Sequence, residues 1–176
     1  KENKLMKMFF VILAAGKSRR FNDKVPKQFN FYKGKMLLEH SINKALDSKI
    51  FNKIILVINK SHIKYIKNIN REKIHIVYGG KERSDSSKNA IVYLKKFKPD
   101  KIFIHDAARP NFSLNLIKRL SNKIQNNKAV VPFIKINDSL KYKRDKFFVD
   151  LDRDKFILTQ TPQCFDYKIL HKNFKQ

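Results

Sequence analysis

Cysteine is almost absent from this 176-residue chain, in which Cys164 stands alone. One thiol can neither close an intramolecular disulfide nor supply a two-cysteine metal site, and it suits a reducing cytoplasm. Glycine (4 residues) and proline (5 residues) are also scarce, which excludes collagen-like and Pro/Gly-rich low-complexity chains. The five histidines, at 40, 62, 75, 105 and 171, show no close ligand spacing such as HxxxH, so a zinc centre has no support. No apolar run approaches the length of a membrane span. Acidic residues are few as well: 15 Asp and Glu stand against 40 Lys and Arg, for a formal net charge of +25.

What is present describes a folded chain. Hydrophobic residues make up 42% and aromatics 12%, enough for one respectable core, so a single domain over 1–176 is expected. A charge of +25 ordinarily points to nucleic acid or an anionic membrane surface. The cations, however, are 32 Lys and only 8 Arg, and nucleic-acid readers lean on the planar fork of Arg. Lys, Ile and Asn together account for 68 of 176 residues, the signature of drift toward A/T-rich codons, so most of the charge is background. Neither nucleic acid nor membrane is therefore expected as a partner. Near the N-terminus, basic residues precede the apolar run Met8 to Ala15, which imitates a signal peptide. The preferred reading is a buried first strand running into a loop.

Short apolar runs alternate with helical stripes. Phe9–Leu13, Ile54–Ile58, Ile102–Ile104 and Ala129–Val131 are near-continuous and rich in β-branched residues, as strands buried on both faces of a parallel sheet are. Between them, Leu38, Ile42, Ala45 and Leu46 make one stripe. Ser87, Ala90, Ile91 and Leu94 make a second, and Leu116, Ile117, Leu120 and Ile124 a third. Ser61 and Ser113 stand where N-caps are expected. The alternation implies an α/β fold, a doubly wound and mostly parallel sheet with right-handed crossovers. After Pro132 the pattern changes to two strand-like stretches around the polar turn Lys143–Lys146, a protruding β-arm over about 135–157 of the kind that mediates dimers. A weak helical stretch from Tyr167 to Phe174 comes last.

Ligands of open α/β sheets bind beyond the carboxyl ends of the strands, so chemistry is sought in the segment after each run. After the first come Ala14-Ala15-Gly16-Lys17-Ser18-Arg19-Arg20-Phe21 and then Pro26-Lys27-Gln28. Small residues let the backbone approach an anion closely, and the cations compensate its charge. The segment is neither a P-loop, which needs Gly where Val11 stands, nor a GxGxxG loop, whose later glycines are replaced by Ser18 and Phe21. An ordinary strand-to-helix turn remains the alternative. A second segment, Tyr78-Gly79-Gly80-Lys81-Glu82-Arg83-Ser84-Asp85-Ser86, holds two of the four glycines and reads either as an anion or nucleoside site or as a plain helix cap. In the third, His105-Asp106-Ala107-Ala108-Arg109-Pro110, a carboxylate at a strand end suits a hard cation such as Mg²⁺; the alternative is an Asp106–Arg109 ion pair that merely shapes the loop.

The segments LAAGKSRRF, PKQF, LLEHSI, GGKERSDSS, HDAARP, INDSLK, LDR and TQTPQCF, in this order, strongly resemble the 2-C-methyl-D-erythritol 4-phosphate cytidylyltransferase family of the non-mevalonate isoprenoid pathway. The resemblance runs from about Phe9 to Phe174 and implies a nucleotidyltransferase (Rossmann-like) fold. It implies transfer of CMP from CTP to methylerythritol phosphate, with release of pyrophosphate and with Mg²⁺ as cofactor. Carried over by position, Arg20 and Lys27 are the transition-state stabilisers. Ala14, Ala15, Gly16, Gly80 and Ser86 contact CTP, with Gly80 and the Ser86 hydroxyl reading the cytosine. Asp106 helps to hold Mg²⁺, and Ala107 and Arg109 lie near the bound substrates. On the arm, Ser139 and Arg153 orient methylerythritol phosphate across a homodimer interface, Arg153 counting among the catalytic set.

The chain departs from the family pattern in two ways. Ser18 replaces the second glycine of the usual AAGxGxR loop. Family members also continue with a segment that contributes another metal-site Asp and a Lys for the acceptor phosphate, so the resemblance implies a C-terminally truncated enzyme ending at Gln176. The nearest rival is a ribitol-5-phosphate cytidylyltransferase, which shares the phosphate loop; HDAARP and the LDR arm favour the methylerythritol enzyme. More distant is a non-catalytic basic module that binds a nucleotide or nucleic acid, supported only by the net charge.

Overall fold

Both faces of the first apolar run are covered, as its lack of alternation requires. The computed structural model describes residues 6–17, 25–70 and 72–174. In chain order the elements begin with β1 (Met8–Ala14), the small hairpin β2 (Phe31–Tyr32) and β3 (Lys35–Met36), α1 (Leu37–Asp47), β4 (Lys53–Ile58) and β5 (Ile74–Tyr78). Next come α2 (Arg83–Leu94), β6 (Lys101–Asp106), α3 (Leu114–Ile124), β7 (Ala129–Val130) and β8 (Phe133–Lys135). The chain continues through β9 (Leu140–Arg144), β10 (Phe147–Leu151), β11 (Ile157–Thr159), β12 (Gln163–Asp166) and α4 (Tyr167–Asn173).

The main sheet has the order β5-β4-β1-β6-β12-β7, with β1 parallel to both β4 and β6. Alternate residues of β1 feed two cores. Phe10, Ile12 and Ala14 share one with Leu38, Ile42 and Ala45 of α1 and Ile117, Leu120 and Ile124 of α3. Phe9 and Val11 share the other with Ala90, Ile91 and Leu94 of α2 and with Tyr167 of α4. The fold is thus the expected α/β sandwich, mostly parallel, with helices on both faces. Among the described residues no helix is long and apolar enough to cross a membrane.

Several local expectations change. Ala129–Val131 is not a buried parallel strand. Only Ala129 and Val130 pair, at the sheet edge, and β12 lies between them and β6, antiparallel to both. Strands β5 and β12 were not foreseen. Ser113 does cap α3, accepting from the Leu116 N–H at 3.1 Å. Ser61 is not the N-cap of its turn: Asn59 takes that position and accepts from the Ser61 N–H at 3.0 Å. Leu46 is exposed rather than part of the buried stripe of α1. The arm is built in two storeys. Strands β8 and β11 form its stem, and β9 and β10 its tip, closed by Asp145 and Lys146 with Asp145 at φ 50°.

Strand order sets the site. The chain runs outward from β1 to β4 and β5, then crosses back through α2 to β6 on the other side of β1. The direction of winding therefore reverses between β1 and β6, the position at which open α/β sheets form their ligand crevice, beyond the carboxyl ends of the strands.

Candidate active site

The loop leaving β1 is held from below. Gln28, almost fully buried, donates from Nε2 to the Ala14 carbonyl at 2.9 Å and to the Gly16 carbonyl at 2.8 Å. Those bonds fix Ala14 to Gly16 in place and fasten the short 3-10 turn Lys27–Phe29 beside them, which presents Lys27 at the surface. Among the described residues, a Cβ on Gly16 would meet nothing within 4 Å, which leaves that backbone open to close approach by a ligand. Arg20 and Ser18 lie outside the described residues.

The loop after β5 leans onto the same place. The Gly79 N–H donates to the Ile58 carbonyl at 3.0 Å, and a Cβ on Gly79 would stand 2.4 Å from the Ala15 Cβ. At Gly80 a Cβ would stand 2.2 Å from the Cβ of Asp85. Both glycines are therefore required by close approach. Ser86 organises the turn: its hydroxyl accepts from the Gly80 N–H at 3.2 Å and donates to the Glu82 carbonyl at 3.1 Å. The Glu82 N–H donates to Asp85 Oδ2 at 2.9 Å, which fixes the start of α2.

The third loop completes the crevice. The Ala107 N–H donates to the Leu13 carbonyl at 3.1 Å, extending the β1–β6 ladder past Asp106. Asp106 receives two guanidinium groups, Arg83 Nε on Oδ1 at 2.9 Å and Arg109 Nε on Oδ2 at 3.3 Å. Arg109 also donates from Nη1 to Gln160 Oε1 at 3.1 Å. The shaping ion pair therefore exists, with Arg83 as a further member.

Behind Asp106 lies a buried polar chain. The Asp106 N–H donates to Thr161 Oγ1 at 3.4 Å, Thr161 Oγ1 bonds His105 Nδ1 at 2.8 Å, and His105 Nε2 lies 3.3 Å from Ser41 Oγ. Burial pulls the His105 pKa down to about 4, against the opposing pull of the Asp106 charge. The ring is neutral at pH 7 and ties α1, β6 and the segment before β12 together.

Ala14, Ala15, Gly16, Gly80, Ser86, Asp106, Ala107 and Arg109 thus converge at the ends of neighbouring strands, with Lys27 fastened to the β1 loop. Ser139 and Arg153 belong to the arm, where Arg153 Nη1 donates to the Asn137 carbonyl at 2.5 Å. Arg83, Gln28, Gly79, His105, Gln160 and Thr161 were not assigned roles by sequence reasoning, although each stands inside or beside a quoted motif.

A family model described as IspD, 2-C-methyl-D-erythritol 4-phosphate cytidylyltransferase, matches residues 8–176. The chain is 47% identical over 165 residues to a bifunctional enzyme IspD/IspF of Pelagibacter ubique, covering 94% of this chain and 44% of that one. It is 36% identical over 172 residues to a 2-C-methyl-D-erythritol 4-phosphate cytidylyltransferase of Thermosipho melanesiensis, covering 94% and 75%. Among solved structures, the 4-diphosphocytidyl-2C-methyl-D-erythritol synthase of Anaerococcus prevotii superposes with a TM-score of 0.83 at 28% identity, covering 97% of this chain and 75% of that one. The bifunctional IspDF of Campylobacter jejuni gives 0.82 at 30% identity, covering 97% and 43%. The chain thus spans less than half of these bifunctional relatives and about three quarters of the single-function ones. With the family model covering nearly all of it and the motif loops gathered at one crevice, the chain belongs to the 2-C-methyl-D-erythritol 4-phosphate cytidylyltransferase (IspD) family of nucleotidyltransferases.

Proposed function

We propose that this chain transfers the cytidylyl group of CTP to 2-C-methyl-D-erythritol 4-phosphate. A phosphate oxygen of the acceptor attacks the α-phosphorus of CTP. A new P–O bond forms as the bond to the bridging oxygen breaks, and pyrophosphate leaves with that electron pair. No protein nucleophile takes part, so catalysis is positioning and charge stabilisation. The observation that carries the reading is the convergence of the Ala14–Gly16, Gly79–Ser86 and Asp106–Arg109 loops at the crevice between β1 and β6.

Within this reading the Ala14–Gly16 backbone receives the triphosphate, and Gly80 with Ser86 borders the base. The Ser86 hydroxyl proton is engaged by the Glu82 carbonyl, which leaves an oxygen lone pair for the cytosine amino group. Lys27 and Arg20 stabilise charge that builds on the transferring and leaving groups, while Arg109 and Ala107 border the substrates. Mg²⁺ is the implied cofactor, and Asp106 fits it: a hard carboxylate at a strand end is what a cation held largely by phosphate oxygens and water requires. When bound, the ion neutralises triphosphate charge.

Acceptor binding is assigned to Ser139 and Arg153 acting across a homodimer formed through the arm. Its support is the apolar surface there: Phe133, Ile134, Tyr142, Phe147 and Phe148 are all exposed. A cytoplasmic setting belongs to the same reading; its support is the lone thiol of Cys164, which is free and buried, with its pKa pushed up by that burial. Pyrophosphate release from CTP and Mg²⁺, with methylerythritol phosphate and ribitol 5-phosphate run in parallel, tests the assignment. Turnover with the first is expected; turnover with ribitol 5-phosphate alone overturns it.

A further inference from the structure

Asp106 is the carboxylate that the proposed reaction requires for its cation, and both of its oxygens already face guanidinium groups. The two arginines are not equivalent. Arg109 is tied locally: its N–H donates to the Asp106 carbonyl at 3.0 Å and its Nη1 to Gln160 at 3.1 Å. Arg83 reaches across from the first residue of α2 and touches Asp106 through Nε; the two side chains are about equally exposed, at 55% and 52%, so what sets Arg83 apart is that, among the described residues, it lacks the additional ties that hold Arg109. It links the start of α2, just after the glycine loop, to the cation carboxylate. An exposed pair of this kind is held weakly, so exchanging partners costs little. A guanidinium prefers the several oxygens of a polyphosphate, where its planar fork can bond bidentately.

We propose that Arg83 is an exchangeable counter-ion: it pairs with Asp106 in the absence of nucleotide and moves to the triphosphate when CTP arrives. A divalent cation approaching alone meets two positive charges at Asp106. Arriving with the nucleotide, it meets an Asp106 freed of one of them. Cation and CTP therefore enter together, and Arg83 is a substrate-binding residue of the same site. The inference rests on the cytidylyltransferase reading.

Its test uses Mn²⁺ as the probe, monitored by electron paramagnetic resonance on the chain without nucleotide, and CTP titration in the presence of Mn²⁺. Arg83 is exposed at a helix start, so Arg83→Gln and Arg83→Lys leave the fold intact. Arg83→Gln should tighten Mn²⁺ binding without nucleotide by about 25-fold, the effect of removing one unit charge about 4 Å from a divalent ion in a water-like medium. The same variant should weaken CTP binding by about tenfold, as loss of a charged hydrogen bond does. Arg83→Lys keeps the charge and should leave Mn²⁺ binding near the wild-type value. Unchanged Mn²⁺ binding in Arg83→Gln, or unchanged CTP binding, overturns the proposal. A wild-type chain that binds Mn²⁺ but no CTP overturns the transfer reading and the exchange with it, whereas a wild-type chain that binds CTP only as tightly as Arg83→Gln does overturns the exchange alone.

Discussion

The strand-end loops and the arm are held by opposite means. Each loop at the crevice is tied to the buried sheet: Gln28 bonds two carbonyls of the β1 loop, Gly79 touches Ala15 and Ile58, and Ala107 bonds Leu13. The arm stands clear of both cores. Among the described residues its tip strands pair only with each other, and Phe147 and Phe148 are 75% and 65% exposed. The proposed nucleotide half of the site is therefore fastened to the sheet within one chain, whereas the proposed acceptor half rests on a ribbon whose apolar side chains are exposed. Function should fail differently in the two regions: through chemistry in the first and through assembly in the second.

The sharpest break is expected at Lys27. Lys27→Ala should lower turnover by about 100- to 1,000-fold, the scale of a lost transition-state donor, while CTP affinity changes little. Rapid-quench kinetics beside equilibrium CTP binding measure the two separately. Equal losses would assign Lys27 to ground-state binding instead.

A second break lies in the polar chain beneath Asp106. His105 is held neutral, with its folded pKa near 4 below the ordinary 6.5. The unfolded chain binds the extra proton between those values, so stability is complete above about pH 6.5 and is lost as pH falls toward 4. A drop of about 3 kcal/mol over that window is expected for one group shifted this far. Denaturant unfolding at pH 7 and pH 4 measures it, and His105→Gln should flatten the slope. A variant as pH-sensitive as the wild type would place the titrating group elsewhere.

Legibility in the sequence divides along the same line. Continuous β-branched runs and the stripes of α1, α2 and α3 announced the layers, because burial on both faces leaves a local pattern. Strand β5 escaped because His75 breaks its apolar run, and β12 because Gln163–Asp166 is short and half polar. The loops were legible as anion-friendly segments, and the family motifs gave them roles. The ties among them were not, since the Gln28–Ala14, Arg83–Asp106 and Thr161–His105 bonds span 14, 23 and 56 residues, and no local pattern encodes a contact at such range. The arm was visible as a hairpin from its polar turn, but the two-residue closure at Asp145–Lys146 and the separate stem depend on register.

The smallest effect on the isolated fold is expected at the arm tip, and its smallness is informative. Phe147 and Phe148 contribute to neither core, so replacing both with Ser should move unfolding stability by no more than about 0.5 kcal/mol, as exposed substitutions ordinarily do. Sedimentation should nonetheless shift toward monomer, because the double change strips two large apolar side chains from the proposed interface. CTP affinity should stay at the wild-type value, since the crevice loops are fastened to the main sheet. The KM for methylerythritol phosphate should rise if Ser139 and Arg153 serve a partner's site. A double variant that remains dimeric with an unchanged KM would separate the arm from acceptor binding. One that loses CTP affinity as well would show that the two regions are coupled, against the independence their contacts imply.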